Sequence, residues 1–255
     1  MKIEGTAAGP GPEARHWSTP VDTALQYLVE IPAALLVVAE IGVLLAGVIG
    51  RYVFHEPIIW SDELASILFL WLAMLGSVIA LRRGEHMRMT AFVAMAPPKV
   101  QAFLDLLAVV AALTFLLLIV GPAYHFAEEE LFITTPALEI TNTWRAAALP
   151  IGSALMILTV LLRLLRIGDW KLILAAAVLI GAIIAVLIAL QPVLKGLGNI
   201  NLLIFFVGIV AAAVFAGVPI AFSFGLATFG YLALTTTTPM IVVVGRMDEG
   251  MSHLI

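Results

Sequence analysis

Arg51-Tyr-Val-Phe-His-Glu-Pro-Ile-Ile-Trp60-Ser-Asp62-Glu63-Leu leads into an apolar run that is closed by Arg82-Arg83-Gly84-Glu85-His86-Met87-Arg88-Met89. A short polar hairpin therefore joins two apolar runs, and a basic loop ends the second. The run before it is roughly Ile31–Tyr52 and the run after it Ala65–Leu81; Val100–Phe126, Ala146–Leu165 and Leu172–Leu190 follow. Each is close to the ~20 apolar residues that cross ~30 Å of hydrocarbon. Lipid offers no partner to the backbone, so each run is expected to be a helix. One such run could be a buried core helix, but five in one chain make a soluble core a poor explanation.

Composition agrees. Of 255 residues, 62% are hydrophobic and only 12% charged, far from the soluble range. The net charge of −4 comes without a basic, aromatic-rich patch, which argues against nucleic-acid binding. There is no cysteine, so disulfides, thiolate metal sites and thiol nucleophiles are excluded. The polar, Gly/Pro/Ala-rich start, Met1–Trp17, reads as disordered rather than as a cleaved signal.

The region 199–234 is too long for a simple span and is interrupted at Gly217-Val-Pro219. Proline removes a backbone donor and glycine loosens a helix. Two helices are expected, about Leu202–Ala216 and Pro219–Leu234, with one kinked helix as the alternative. The tail Met240–Ile255 mixes apolar residues with Arg246, Asp248, Glu249 and His253, and reads as interfacial.

Basic residues orient the chain. Arg82, Arg83, Arg88 and Lys99 follow the second run, and Arg163, Arg166 and Lys171 follow the fourth. The loop after the third holds Glu128, Glu129, Glu130 and Glu139, with no basic residue before Arg145. The positive-inside rule places the arginine loops and the N-terminus in the cytoplasm, with Arg51–Glu63 and Glu128–Arg145 outside.

Glu40, inside the first run, costs roughly 2.5–3.5 kcal/mol to insert and so should face a partner or cavity. It reads as an ion or proton ligand or, more simply, as a hydrogen-bonded glutamate joining helices near the depth of Ser77 and Thr159. Ser61 can cap the second helix, and Asp62 and Glu63 complement its dipole. The same acids could contact Arg51 across the hairpin, or Arg145 on the same side. Arg82, Arg83, His86 and Arg88 read as a topology signal or a headgroup site, and Thr90–Ala96 as a short surface helix. Asn142 or Thr143 can cap the fourth helix, and Trp60 and Trp144 suit the membrane interface. Pro150 and Gly121-Pro122 should kink their helices. No metal-protease, phosphate-loop or nucleophile-elbow motif is present, so an enzyme is not expected.

Arg51-Tyr52-Val53-Phe54, Trp60-Ser61-Asp62-Glu63-Leu64-Ala65, Leu68-Phe69-x-Trp71-Leu72, Gly76 and the Arg82–Arg88 loop resemble, in order and spacing, the small permease subunit of the TRAP transporters, the tripartite ATP-independent periplasmic transporters of bacteria. Thr134-Thr135-Pro136-Ala137-Leu138 and Ala148-Leu149-Pro150-Ile151-Gly152 extend the resemblance, which covers residues 22–167. Gly217-Val218-Pro219-Ile220-Ala221-Phe222, with Gly225-Leu226-Ala227, resembles the opening of the large permease subunit, and the fifth run fits the extra helix that links the two in fused members.

The implied organisation is an all-α membrane protein with a disordered cytoplasmic segment 1–21, a four-helix domain 22–167, a linking helix 168–198 and the start of a large subunit at 199–255, a broken helical pair that stops short at Ile255. The resemblance implies inner-membrane permease function: sodium-driven secondary transport of an organic acid, a C4-dicarboxylate or sialic-acid-like carboxylate. The implied partners are a periplasmic substrate-binding protein, the remainder of the large subunit and lipid. It implies no cofactor; the sodium and substrate ligands are expected outside this chain. The alternatives are a free-standing membrane scaffold, or an enzyme or proton channel built on Glu40.

Overall fold

The computed structural model of the chain describes residues 14–84 and 91–252. Helix α1 (Ala14–Ile49) runs on through a π-helical turn, Gly50–Phe54, and stops at His55, whose φ is 58°. It is helical from Ala14, so it reaches into the 1–21 segment expected to be disordered. Helix α2 (Ser61–Arg83) returns antiparallel to it and ends on Gly84, with φ 69°. A short α3 (Ala91–Ala94) falls inside the expected surface helix and precedes α4 (Pro98–Glu129), which passes unbroken through Gly121-Pro122.

A one-turn 3-10 segment, Glu130–Phe132, leads into a small hairpin closed by the Thr134–Thr141 bridge. The fourth span is divided into α5 (Thr143–Ala146) and α6 (Ala148–Ile167). Pro150, one turn inside, cannot donate to the preceding turn, which accounts for the interruption. Gly168 (φ 68°) ends α6, and the Asp169 carboxylate accepts from the Leu172 amide at 3.3 Å to start α7 (Trp170–Ala189).

Among the described residues, five segments are long and apolar enough to cross a membrane: Asp22–Phe54, Ser61–Arg83, Pro98–Phe132, Thr143–Ile167 and Trp170–Ala189. Among the described residues there are no named strands, and the chain is an all-α, multi-pass membrane protein. The core lies where α2, α4 and α6 meet, with Leu70, Val78, Leu116 and Leu149 almost fully buried. A side chain at Gly152 would fall 2.8 Å from the Cβ of Met74, so α6 approaches α2 closely there. The outward faces of α1 and α7 carry exposed Leu, Ile and Val, which suit lipid rather than water.

Beyond α7 come α8 (Gln191–Gly196), α9 (Ile200–Leu203), a π-helical turn at Ile204–Ile209, and α10 (Val210–Phe215). Gly217, at φ 87°, reverses the chain; its amide and that of Val218 donate to the Val214 and Ala213 carbonyls, both at 3.0 Å. Pro219 then opens α11 (Ile220–Thr235). The region is therefore two helices joined at a capped break, not one kinked rod. The last helix, α12 (Ile241–Ser252), is too short to span; it packs on α2 and α4 with Val244 fully buried.

Candidate functional site

The hairpin residues that stood out in sequence lie at one end of the bundle. Glu63 occupies the first turn of α2, where its carboxylate accepts two consecutive amides from the 133–142 loop: Ala137 N–H and Leu138 N–H, each at 2.9 Å. One acid thus holds the tip of a loop more than seventy positions away. Asp62, one residue earlier, turns outward and meets Arg51 at 3.8 Å, with both side chains well exposed. Trp60 is exposed at the same end. Ser61 does not cap α2; its hydroxyl donates to the Ile58 carbonyl at 2.7 Å. Asn142 and Thr143 do not cap either: Asn142 donates to Glu130, and Thr143 to the Ala127 carbonyl at 3.1 Å. These polar residues tie the loop to the end of α4 instead of closing a helix.

Arg145 lies below the loop. Its guanidinium donates to Asp248 of α12 at 2.5 Å and to the Ser66 hydroxyl at 3.4 Å. The side chains of Arg145 and Asp248 are 18% and 5% exposed, so this ion pair is largely out of water. Burial pushes the Asp248 carboxyl above its ordinary range; Arg145 opposes the shift, while Glu130 and Glu249 reinforce it. Next to the pair is a cleft of about 300 Å³ lined by Asp62, Glu63, Ser66, Thr135, Asn142 and Arg145. Trp71, one turn further into α2, donates its indole N–H to the Trp144 carbonyl at 2.8 Å.

At the opposite end, Asp22 of α1 is bracketed by Arg82 at 3.6 Å and Arg166 at 2.9 Å, while Arg83 meets Glu30 at 3.3 Å. The arginines therefore fasten α1 to the ends of α2 and α6. His86 and Arg88 lie outside the described residues. Glu40 is 7% exposed, and its Oε2 has no hydrogen-bond partner among the described residues. The hydroxyls expected at its depth are engaged elsewhere: Ser77 donates to the Ala73 carbonyl and Thr159 to the Leu155 carbonyl.

The break between α10 and α11 is also occupied. A Cβ on Gly217 would lie 2.9 Å from Val93 of α3, and Phe92 stacks edge-on against Phe215 with centroids 4.7 Å apart. Further along, Phe115 of α4 sits between Phe222 and Phe229, 5.8 and 5.9 Å from their centroids, and fills the space beside Gly225. Periodicity could have flagged Asp248, since it shares a face of α12 with Val244, four residues earlier. Nothing in the sequence marked Phe115 or Asp22.

Among the described residues, no three His, Asp or Glu side chains converge as a metal site. The polar groups described above fix loops and helix ends. Residues 40–168, which include Glu63, Trp71, Arg145 and Gly152, match the family described as tripartite ATP-independent periplasmic transporters, DctQ component. The chain is 30% identical over 128 residues to the sialic acid TRAP transporter small permease protein SiaQ of Vibrio cholerae, covering 50% of this chain and 74% of that one. It is 31% identical over 121 residues to the sialic acid TRAP transporter permease protein SiaT of Haemophilus influenzae, covering 48% of this chain but 20% of that one. It is also 31% identical over 77 residues to the C4-dicarboxylate TRAP transporter small permease protein DctQ of Vibrio cholerae, 30% of this chain and 33% of that one. The Glu63 loop anchor and the close approach of Gly152 to Met74 are thus made by residues of the matched stretch, and the chain belongs to the DctQ component family of the tripartite ATP-independent periplasmic transporters.

Proposed function

We propose that this chain is a membrane permease component of a TRAP-type secondary transporter for an organic acid, a C4-dicarboxylate or a sialic-acid-like carboxylate. In this reading α1 to α6 form the fixed scaffold, α7 is a linking helix, and residues 199–252 open the large subunit that carries substrate. The protein sits in the bacterial inner membrane with its N-terminus and arginine-rich end in the cytoplasm, following the positive-inside rule. A periplasmic binding protein delivers substrate to the opposite end, and a sodium gradient drives uptake. No sodium or substrate ligand is assigned to residues of this chain.

The observation that carries the scaffold role is the Glu63 anchor. A scaffold must keep its shape while a neighbour moves, and Glu63 immobilises the 133–142 loop through two charge-assisted hydrogen bonds to its backbone. The test is uptake by the complete permease, reconstituted in liposomes with its binding protein. Sialic acid and C4-dicarboxylates are offered with and without an inward sodium gradient. Accumulation that needs both the gradient and the binding protein supports the proposal. Failure to accumulate any carboxylate, with the protein folded and both present, would favour a scaffold without transport activity.

A further inference from the structure

We propose that Glu40 is a neutral carboxylic acid at the seam between α1 and α2, a modification site that takes a proton and not a metal ion and that apolar carbodiimides reach from the lipid. This rests on the packing of α1 and not on the transporter reading. The covered or half-covered stripe of α1 runs Val29, Ala33, Leu36, Glu40, Val43 and Gly47, spaced by three and four residues as one helix face requires. Glu40 lies within that stripe and is 7% exposed, whereas Val37, Val38 and Ile41 beside it are open. A Cβ on Gly47 would lie 3.0 Å from the Ser61 hydroxyl oxygen, which sets the stripe against α2. Two turns further into each of these antiparallel helices, Glu40 comes level with Leu68.

Among the described residues nothing of opposite charge stands at this depth. About 27 Å of helix separates Glu40 from Asp22 and about 16 Å from Arg51, so the ion pairs at both ends are remote. Residues 67–76 of α2 include no ionisable side chain, and the Trp71 indole is committed to the Trp144 carbonyl. Ser77 and Thr159 donate to carbonyls of their own helices. The Glu40 Oε2 is left without a partner among the described residues. A carboxylate in that setting is an unpaired charge away from water, whereas the acid form is neutral and gains a hydroxyl donor. A hard cation is no better served, because one carboxyl group among hydrocarbon side chains does not replace its shell of oxygens. An acid of this kind adds to a carbodiimide. Its proton passes to one nitrogen, its oxygen bonds to the central carbon as one C=N π bond is lost, and the acyl group of the O-acylisourea then shifts to nitrogen. The N-acylurea product retains both molecules whole. The reagent arrives through lipid, to which the flanks of α1 at Val38 and Ile41 are open.

In the experiment, the full chain in lipid nanodiscs is treated with N,N′-dicyclohexylcarbodiimide and digested, and adducts are located by mass spectrometry. An adduct at Glu40 is expected, and it should be lost in Glu40→Gln. A water-soluble, cationic carbodiimide at the same concentration should leave Glu40 unlabelled. Sodium chloride in place of choline chloride should not slow the labelling. No adduct at Glu40, in protein shown to be folded by its size-exclusion profile, would overturn the proposal. So would labelling by the water-soluble reagent, which marks an aqueous cavity, or protection by sodium ions, which marks a cation ligand. Infrared difference spectra give a second measure: the carbonyl stretch of a protonated carboxyl should be present in the parent and lost in Glu40→Gln. Its absence from the parent would equally overturn the proposal. Peptide mapping of the parent decides even where Glu40→Gln fails to fold. Uptake is not the readout, so failure here and failure of the transporter reading are distinguishable.

Discussion

Arg145→Met tests the energetics of the buried pair. At an effective dielectric of about 20, unit charges about 4 Å apart attract by about 4 kcal/mol. Desolvating them costs a comparable amount, and the upward displacement of the Asp248 carboxyl indicates that burial outweighs the attraction of Arg145. The pair should therefore add little net stability over an apolar contact, yet be costly to break from one side. Removing Arg145 strands a carboxylate that is 5% exposed, at a cost of about 3–5 kcal/mol. Asp248→Leu strands a less buried guanidinium that still reaches Ser66, and belongs at the lower end of that range. The combination Arg145→Met with Asp248→Leu should lie within about 1 kcal/mol of the parent protein. Unfolding in mixed detergent micelles, followed by tryptophan fluorescence across the four proteins, gives the coupling energy. Single effects that add to within about 0.5 kcal/mol would refute the reasoning, because stranded charges must couple.

Four further outcomes are expected. Glu63→Gln should accelerate hydrogen exchange at the Ala137 and Leu138 amides while leaving α6 protected; unchanged exchange at those amides would contradict the anchor. Gly152→Ala should destabilise by about 1–3 kcal/mol through overpacking against Met74, and Met74→Ala in the same chain should recover part of the loss in a thermal melt. The raised Asp248 carboxyl means that the folded state holds its proton more tightly than the unfolded chain. Relative to Asp248→Asn, stability should then fall as pH rises through the window above the ordinary aspartate value, and a rise over that window would reverse the assignment. Glu40→Gln in the complete permease should leave uptake and its ion dependence unchanged, which a flux assay at varied sodium concentration measures directly.

The spans were legible in the sequence because lipid leaves few alternatives to a helix for a long apolar run. The interruption at Gly217-Val-Pro219 is legible too, but the choice between two helices and one kinked helix is decided only by the backbone, where Gly217 takes a φ of 87°. The capping assignments fared worse. Ser61, Asn142 and Thr143 have the chemistry of caps, but a cap competes with any nearby carbonyl or carboxylate, and here Ile58, Glu130 and Ala127 prevail. Glu63 does stand in the first turn of α2, as the dipole reading has it, but its carboxylate meets the Ala137 and Leu138 amides, and backbone partners have no sequence signature. Of the contacts open to Asp62 in the sequence, the one with Arg51 across the hairpin is made. Arg145 stood out, whereas its partner Asp248 was hidden in a tail that read as interfacial. Such long-range pairs depend on which helices touch, and a single chain's composition does not contain that information.

The helices packed on one another here are of very unequal length. The span Pro98–Phe132 has 35 residues, about 52 Å of helix, whereas α11 has 16, about 24 Å. A hydrocarbon layer of ~30 Å matches neither. The longer span must therefore lean or stand proud of the hydrocarbon, whereas α11 is shorter than the layer and its ends have to be met by protein, as the break before it is met by α3.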